Sequence, residues 1–208
     1  MTRLFPGILA MAAIVVASNI LVQFLIADGL LTWGAFTYPL AFLVTDLMNR
    51  IYGPAEARRV VLAGFVTGII CSLIGSQIML EYGPAVPLRI AVASATAFLI
   101  AQLLDVAVFD RLREGAWWKA PLASTLIGST VDSVIFFTIA FAGFVSLGAA
   151  DEAVAWALEP VPFLNSGPIA PLWVSLGVAD WSVKLTVALI ALIPFRIITD
   201  ALRGQRAA

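Results

Sequence analysis

Long apolar runs separated by short polar links make up almost the whole chain. A membrane-crossing helix needs about 20 mostly apolar residues, and runs of that kind fall at about 5–27, 30–48, 60–80, 88–109, 121–147 and 172–195. The links carry turn chemistry: Asp28–Gly29, YGPAEARR at 52–59, EYGPAVP at 81–87 and EPVPFLNSGPIAP at 159–171. This pattern predicts an all-α integral membrane protein with six transmembrane helices in a single domain over 1–208, with no separate soluble domain. The first run is too long for a signal-peptide core and lacks a small-x-small exit, so it reads as a retained span.

Charge placement then predicts sidedness. Arg3 precedes span one, Arg50, Arg58 and Arg59 follow span two, Arg111, Arg113 and Lys119 follow span four, and Arg196, Arg203 and Arg206 follow span six. The other links hold Asp28, Glu81, Asp151, Glu152 and Glu159, with Arg89 the one basic residue near that face. Basic residues stay on the cytoplasmic side, so both termini are expected to be cytoplasmic. AFLVTDLMN (41–49) also aligns with AFLIAQLLD (97–105), setting Asp46 against Gln102 and Asn49 against Asp105. Either two spans of the same direction share a duplicated origin, or they use similar packing residues.

Composition sharpens the class. The chain is 62% hydrophobic and 12% charged, far from the roughly half-apolar usage of soluble domains. A formal charge of -1 offers no basic surface for nucleic acid. With no histidine and the single cysteine Cys71, an intrachain disulfide is excluded, while zinc chemistry and Ser-His-Asp catalysis lose their usual residues. No metal and no cofactor is expected.

Against that apolar background the polar residues inside the spans stand out. They are Asn19 and Gln23 in span one, Asp46 at the inner end of span two, Gln102 and Asp105 in span four, Asp132 in span five, and Asp180 with Lys184 in span six. A charge at the centre of a spanning helix costs about 2.5–3.5 kcal/mol, so four of them imply a cost on the order of 10 kcal/mol unless paired. Asn19 and Gln23 are four apart, as are Asp180 and Lys184, and Gln102 and Asp105 are three apart; each set is expected on one helical face. At about 1.5 Å per residue Asp132 lies some 16 Å into span five, and Lys184 reaches a similar depth from the other side.

Bland readings compete with functional ones. Asp180 and Lys184 can be an intrahelical neutral pair, Asn19 and Gln23 can bridge helices, and Asp46 with Arg50 can pair at the membrane edge. Asp132 has only Ser129 and Ser133 within a turn, so its partner must come from another span or from a ligand. Lys184 is the obvious protein partner. Trp117, Trp118 and Trp173 sit at span ends, where an aromatic belt accounts for them. Trp33, Phe36 and Tyr38 are placed to line an outer vestibule.

Midplane carboxylates, amides and one lysine in a chain of spans fit a small-solute transporter best. An intramembrane enzyme would need a His-assisted nucleophile, a metal or a tight carboxylate dyad. A third reading is a substrate-capturing subunit for a vitamin or purine-like solute that relies on an ATP-driven partner, since the chain has no GxxxxGK[ST]. Carboxylates accept from adjacent N–H donors and carboxamides donate and accept. Asp, Asn and Gln therefore suit a flat heterocycle with a guanine-like edge, with Phe36, Phe42, Phe136 and Phe137 available for stacking.

The order of these motifs resembles the queuosine-precursor transporter family, within the vitamin-uptake group of small six-span proteins. The resemblance covers most of the chain: ASNILVQ (17–23), TWGAF (32–36), FLVTDLMNRIYG (42–53) with ARR (57–59), RIAVASATA (89–97), QLLDVAVFDRLR (102–113), WWKAPLASTLIGSTVD (117–132), FFTIAF (136–141) and D-x-x-x-K at 180–184. It implies an importer in the bacterial inner membrane for the 7-deazaguanine bases preQ0 and preQ1. It further implies substrate-binding roles for Asn19, Gln23, Asp46, Gln102, Asp105, Asp132, Asp180 and Lys184, with Arg89 in gating. Arg50 departs from related branches that carry an acid there, and is given no ligand role. The expected partners are the small-molecule base and the lipid bilayer, and the link at 148–171 is expected to be an external cover.

Overall fold

A computed structural model describes residues 3–81 and 83–207. Tyr82, in the EYGPAVP link, and the side chains of Arg203 and Arg206 lie outside the described residues. The chain forms helices α1 (Phe5–Leu21), α2 (Gly34–Thr37), α3 (Leu40–Tyr52), α4 (Pro54–Gln77), α5 (Leu88–Leu112), α6 (Lys119–Phe141) and α7 (Leu172–Ala207). Three small antiparallel hairpins join them: β1 (Leu25–Ile26) with β2 (Leu31–Thr32), β3 (Met79–Leu80) with β4 (Gly83–Pro84), and β5 (Pro160–Pro162) with β6 (Ile169–Pro171).

The apolar runs become helices as expected, but the first two end differently from their sequence boundaries. α1 stops at Leu21, and the chain reverses through Ala27, Asp28 and Gly29, all at positive φ. Leu25 and Ile26 continue the apolar run into a hairpin strand. Hydropathy alone does not separate these two conformations. The second run is likewise divided into β2, α2 and α3, with Pro39 at the start of the last. The fifth run stops as helix at Phe141 rather than 147, and residues 148–158 form a 3-10 segment.

Among the described residues four helices, α4, α5, α6 and α7 to Leu202, are long and apolar enough to cross a membrane. α1 has 17 residues and α3 has 13, short of the length a full apolar span uses. Burial runs opposite to that of a water-soluble domain. Leu62, Val66, Ile70 and Leu73 on α4 and Ile190, Ile193 and Ile197 on α7 are exposed, while Asp46, Asn49, Gln102, Asp105, Asp132 and Lys184 are buried. An apolar exterior around a polar interior is what lipid selects, so the chain is a multi-pass membrane protein.

Glycines set the closest approaches. A Cβ at Gly64 would fall 2.6 Å from Met11 Cγ, and one at Gly128 would fall 2.7 Å from Phe42 Cε1 and 3.4 Å from Asp105 Cβ. Bare backbone at these points lets α4 meet α1 and lets α6 lie against α3 and α5. The aligned segments 41–49 and 97–105 pack face to face, with the Thr45 hydroxyl donating to Gln102 Oε1 at 2.6 Å and Asn49 Nδ2 donating to the Val106 carbonyl at 3.0 Å.

Candidate functional site

The structure gathers the predicted polar residues into two groups. The first is a ring of charges between α6 and α7. Lys184 Nζ lies 2.7 Å from Asp132 Oδ2 and 2.6 Å from Asp180 Oδ2. It also donates to Ser133 Oγ at 3.1 Å, and that hydroxyl donates to Asp180 Oδ2 at 3.1 Å. Helical spacing explains the arrangement: Asp180 and Lys184 are one turn apart on α7, and adjacent Asp132 and Ser133 on α6 face them. Lys184 and Asp132 have side chains 5% and 4% exposed, whereas Asp180 is 17% exposed on the cavity side. With all three ionised, one lysine and two aspartates carry a net charge of about -1 in a low-dielectric interior.

This ring forms one wall of a cavity of about 130 Å³, whose lining also includes Asn19, Gln23, Tyr38, Ser94 and Phe136. Asn19 donates to the Val15 carbonyl of its own helix at 2.9 Å. Gln23 lies past the end of α1 and donates to the Ala85 carbonyl at 3.1 Å, so the two amides reach one cavity without sharing a helical face. Tyr38 presents its ring to Lys184, with Nζ 5.9 Å from the ring centre. At its far side the cavity is bounded by Gly34 and Ala35, where α2 folds back beside Val22.

The second group lies deeper, between α3, α5 and α6, and does not line the cavity. Asp46 accepts from Ser124 Oγ at 3.0 Å and from Thr125 Oγ1 at 3.1 Å. From α5, Asp105 packs near Gly128 and Gln102 accepts from Thr45, both essentially without solvent exposure. Sequence spacing paired these residues correctly within α5 but did not separate them from Asp132.

Other expected site residues fall elsewhere. Arg89, 3% exposed, donates from Nε to the Ile139 carbonyl at 2.8 Å, from one guanidinium nitrogen to the Ala142 carbonyl at 2.7 Å, and from the other to Asp151 at 2.9 Å. It therefore ties the start of α5 to the end of α6 and to the 3-10 cover, away from the cavity lining. Asp151 also accepts from the Ser146 hydroxyl and the Leu147 N–H, and these bonds, with Arg89 beside it, hold its carboxyl below the usual aspartate range. Phe36 is exposed beside Trp33, Phe42 packs under Gly128, and Phe137 packs against Phe136 and Phe141. Of the four phenylalanines only Phe136 lines the cavity. Arg50 donates to the Arg113 carbonyl at 2.8 Å and lies over the Phe109 ring.

A larger cavity of about 440 Å³ opens at the opposite end of the helices, lined by Arg50, Arg113, Trp117 and Arg196 among others. None of the polar residues singled out for solute binding reaches it. The chemistry gathers instead around Lys184, where donors, acceptors, a net negative charge and two aromatic rings converge on a space the size of one small molecule.

Comparison with known proteins agrees with this picture. The sequence profile of the family described as "Putative vitamin uptake transporter" matches residues 32–199. The chain belongs to that transporter family. The match begins at β2 and runs nearly to the end of α7, so it spans both polar groups and all four long helices. Among curated relatives, the "Queuosine precursor transporter" of Escherichia coli is 33% identical over 194 residues, 87% of this chain and 79% of the relative. The "Probable queuosine precursor transporter" of Haemophilus influenzae is 35% identical over 174 residues, 78% of this chain and 66% of the relative, just under two thirds of its length. That of Bacillus subtilis is 27% identical over 181 residues. No solved structure matches.

Several residues in or beside the cavity carry little sequence signal. Ser133, which closes the charge ring, and Ser94 and Ser18, which edge the cavity, are common small residues in membrane helices. The usable clue was the spacing of Ser129 and Ser133 around Asp132.

Proposed function

We propose that this transporter imports queuosine precursors, the 7-deazaguanine bases preQ0 and preQ1, across the bacterial inner membrane. Six membrane crossings, with α1 and the α2–α3 unit as the two shorter ones, and both termini in the cytoplasm complete the reading. Orientation is supported by the basic residues: Arg50, Arg113, Lys119 and Arg196 all sit at the end opposite the three hairpins.

The observation that carries the proposal is the cavity walled by Asp132, Asp180 and Lys184, with Asn19 and Gln23 in the same lining. In this reading a carboxylate, Asp132 foremost, accepts the adjacent N–H groups of the deazaguanine edge, while Asn19 and Gln23 serve its carbonyl and ring nitrogens. Tyr38 and Phe136 offer faces for the planar ring. At about 130 Å³ the space is small beside the roughly 300–1,000 Å³ of drug-sized sites, which favours a free base over its nucleoside.

The test is uptake by this protein alone, in a host that lacks both precursor synthesis and any ATP-driven partner, scored as queuosine in tRNA. Offered in turn, preQ0 or preQ1 should restore the modified nucleoside, and a tenfold excess of guanine should compete less well than unlabelled precursor. Asp132→Asn should lose most of that uptake while remaining in the membrane. Near-normal uptake by the variant would remove Asp132 from the binding role, and no uptake by the unaltered protein would remove the substrate assignment.

A further inference from the structure

The group between α3, α5 and α6 is buried as deeply as any part of the molecule and has no place in the solute cavity. Asp105 is 0% exposed and Asp46 2%. Asp46 is held by two hydroxyls, while no described side chain makes a well-formed hydrogen bond to either carboxylate oxygen of Asp105; the Ser124 hydroxyl near it is turned to Asp46. Asp105 Cβ lies 3.4 Å from the position a Cβ would take on Gly128, one turn along α6 from the Ser124 hydroxyl that Asp46 accepts from, so the two acids face the same stretch of α6. Gln102 Nε2 and Ser129 Oγ, buried at 1% and 0% exposure around the same acids, likewise lack partners among the described residues.

Two wholly buried carboxylates this close cannot both remain ionised at ordinary cost, because each destabilises the other and neither is solvated. A proton on one of them resolves both problems, since the O–H donates to the other carboxylate and fills the vacancy at Asp105. A hard divalent cation is a poorer occupant, because among the described residues no third acid joins the pair.

Each helix around the pair carries charged or polar groups of its own. On α3, Arg50 lies one turn from Asp46 and donates to the Arg113 carbonyl. On α5, Arg113 is bonded to Asp110 and to the Asn49 carbonyl, two turns beyond Asp105. α6 presents Ser124, Thr125 and Ser129, with Asp132 about 12 Å further along at eight residues from Ser124. On α7, Lys184 is committed to Asp132 and Asp180, and Arg196 is bonded to Asp200. α4 carries Glu56, Arg58 and Arg59 in its first two turns.

We propose that Asp46 and Asp105 form a proton-binding site, separate from the solute cavity, whose loading and release drive the transport cycle. The proton comes from water on one side of the membrane and returns to water on the other, and no other bond is made or broken. Separation from the solute is what gives the pair this role: the ion and the solute bind at different depths along the same helices, α5 and α6, so occupancy of one can bias the arrangement seen by the other. The coupling rests on the transporter reading above. Proton binding does not.

The experiment has two readouts. Infrared spectra of the protein in liposomes at neutral pH should show the C=O stretch of a protonated carboxylic acid, and the difference spectrum against Asp105→Asn or Asp46→Asn should contain that band. Its absence from both difference spectra overturns the proposal whatever the solute proves to be. Asn copies a protonated carboxyl in shape and neutrality, so both variants are expected to fold, checked by size exclusion. In the second readout, preQ0 accumulation driven by an imposed pH gradient should be lost in Asp105→Asn, while exchange of internal for external preQ0 continues. Loss of exchange together with accumulation would make the pair part of the solute site, and retained gradient-driven accumulation would remove the coupling role. Failure of the unaltered protein to move preQ0 in either mode would count against the substrate reading, leaving the infrared band to decide proton binding.

Discussion

Lys184→Met should be the most damaging single change in the charge ring. The ammonium makes three contacts at once, to Asp132, Asp180 and Ser133, on a side chain 5% exposed. Removing one partner of a buried ion pair costs about 3–5 kcal/mol, most of it from the charge left behind. At about 2–4 °C per kcal/mol for a chain of this size, the midpoint of thermal unfolding in detergent should fall by about 6–20 °C. The two aspartates do not contribute equally. Asp132, with a side chain 4% exposed, has no other charged partner among the described residues, whereas Asp180, at 17%, keeps Ser133 and an opening to the cavity. Adding Asp132→Asn to Lys184→Met should therefore recover more of the lost stability than adding Asp180→Asn. Thermal unfolding followed by fluorescence-detected size exclusion compares the wild type, the single variant and the two double variants. A single variant as stable as wild type, or two double variants no better than the single one, would refute the reasoning.

Two further outcomes follow from the packing and the outer cover. Gly128→Ala pushes a methyl against Phe42 Cε1, so it should destabilise the protein by about 1–3 kcal/mol in the same unfolding assay, and a Phe42→Leu background should relieve part of that loss. Asp151, held below the usual aspartate range by Ser146, Leu147 and Arg89, favours the folded cover above its unfolded value. That contribution should disappear as pH falls through the lower folded value. Protease cleavage of the 148–171 segment should therefore rise in acid in the wild type and depend much less on pH in Asp151→Asn.

Much of the architecture was legible because lipid imposes a strong rule on hydropathy. Leu88–Leu112 and Lys119–Phe141 begin within a few residues of the apolar runs that predicted them. The same rule failed between Val22 and Pro39, because Leu25, Ile26 and Leu31 are as apolar in a hairpin at the edge of the helices as they would be inside one. The Asp28–Gly29 signal marked the reversal but not how much helix it would remove. At the site, one-turn spacing anticipated the Asp180–Lys184 pair, and matching depth anticipated the contact between Asp132 and Lys184. Depth along the helices, more than rotation around them, divides the two polar groups: Ser94 and Asp105 fall close together in rotation on α5, yet only Ser94 lines the cavity. The position of Arg89 near the outer face was readable, but its commitment to the Ile139 and Ala142 carbonyls required the crossing of α5 and α6.

The links at the two ends of the bundle are unequal. Gly53 alone separates α3 from α4, and residues 113–118 separate α5 from α6, whereas the other end is joined through hairpins and the long 142–171 segment. Short tethers fix the basic ends of α3–α4 and of α5–α6 to one another, whereas the longer links leave chain to spare at the hairpin end, the end toward which the solute cavity opens between Gln23, Thr32 and Ala85.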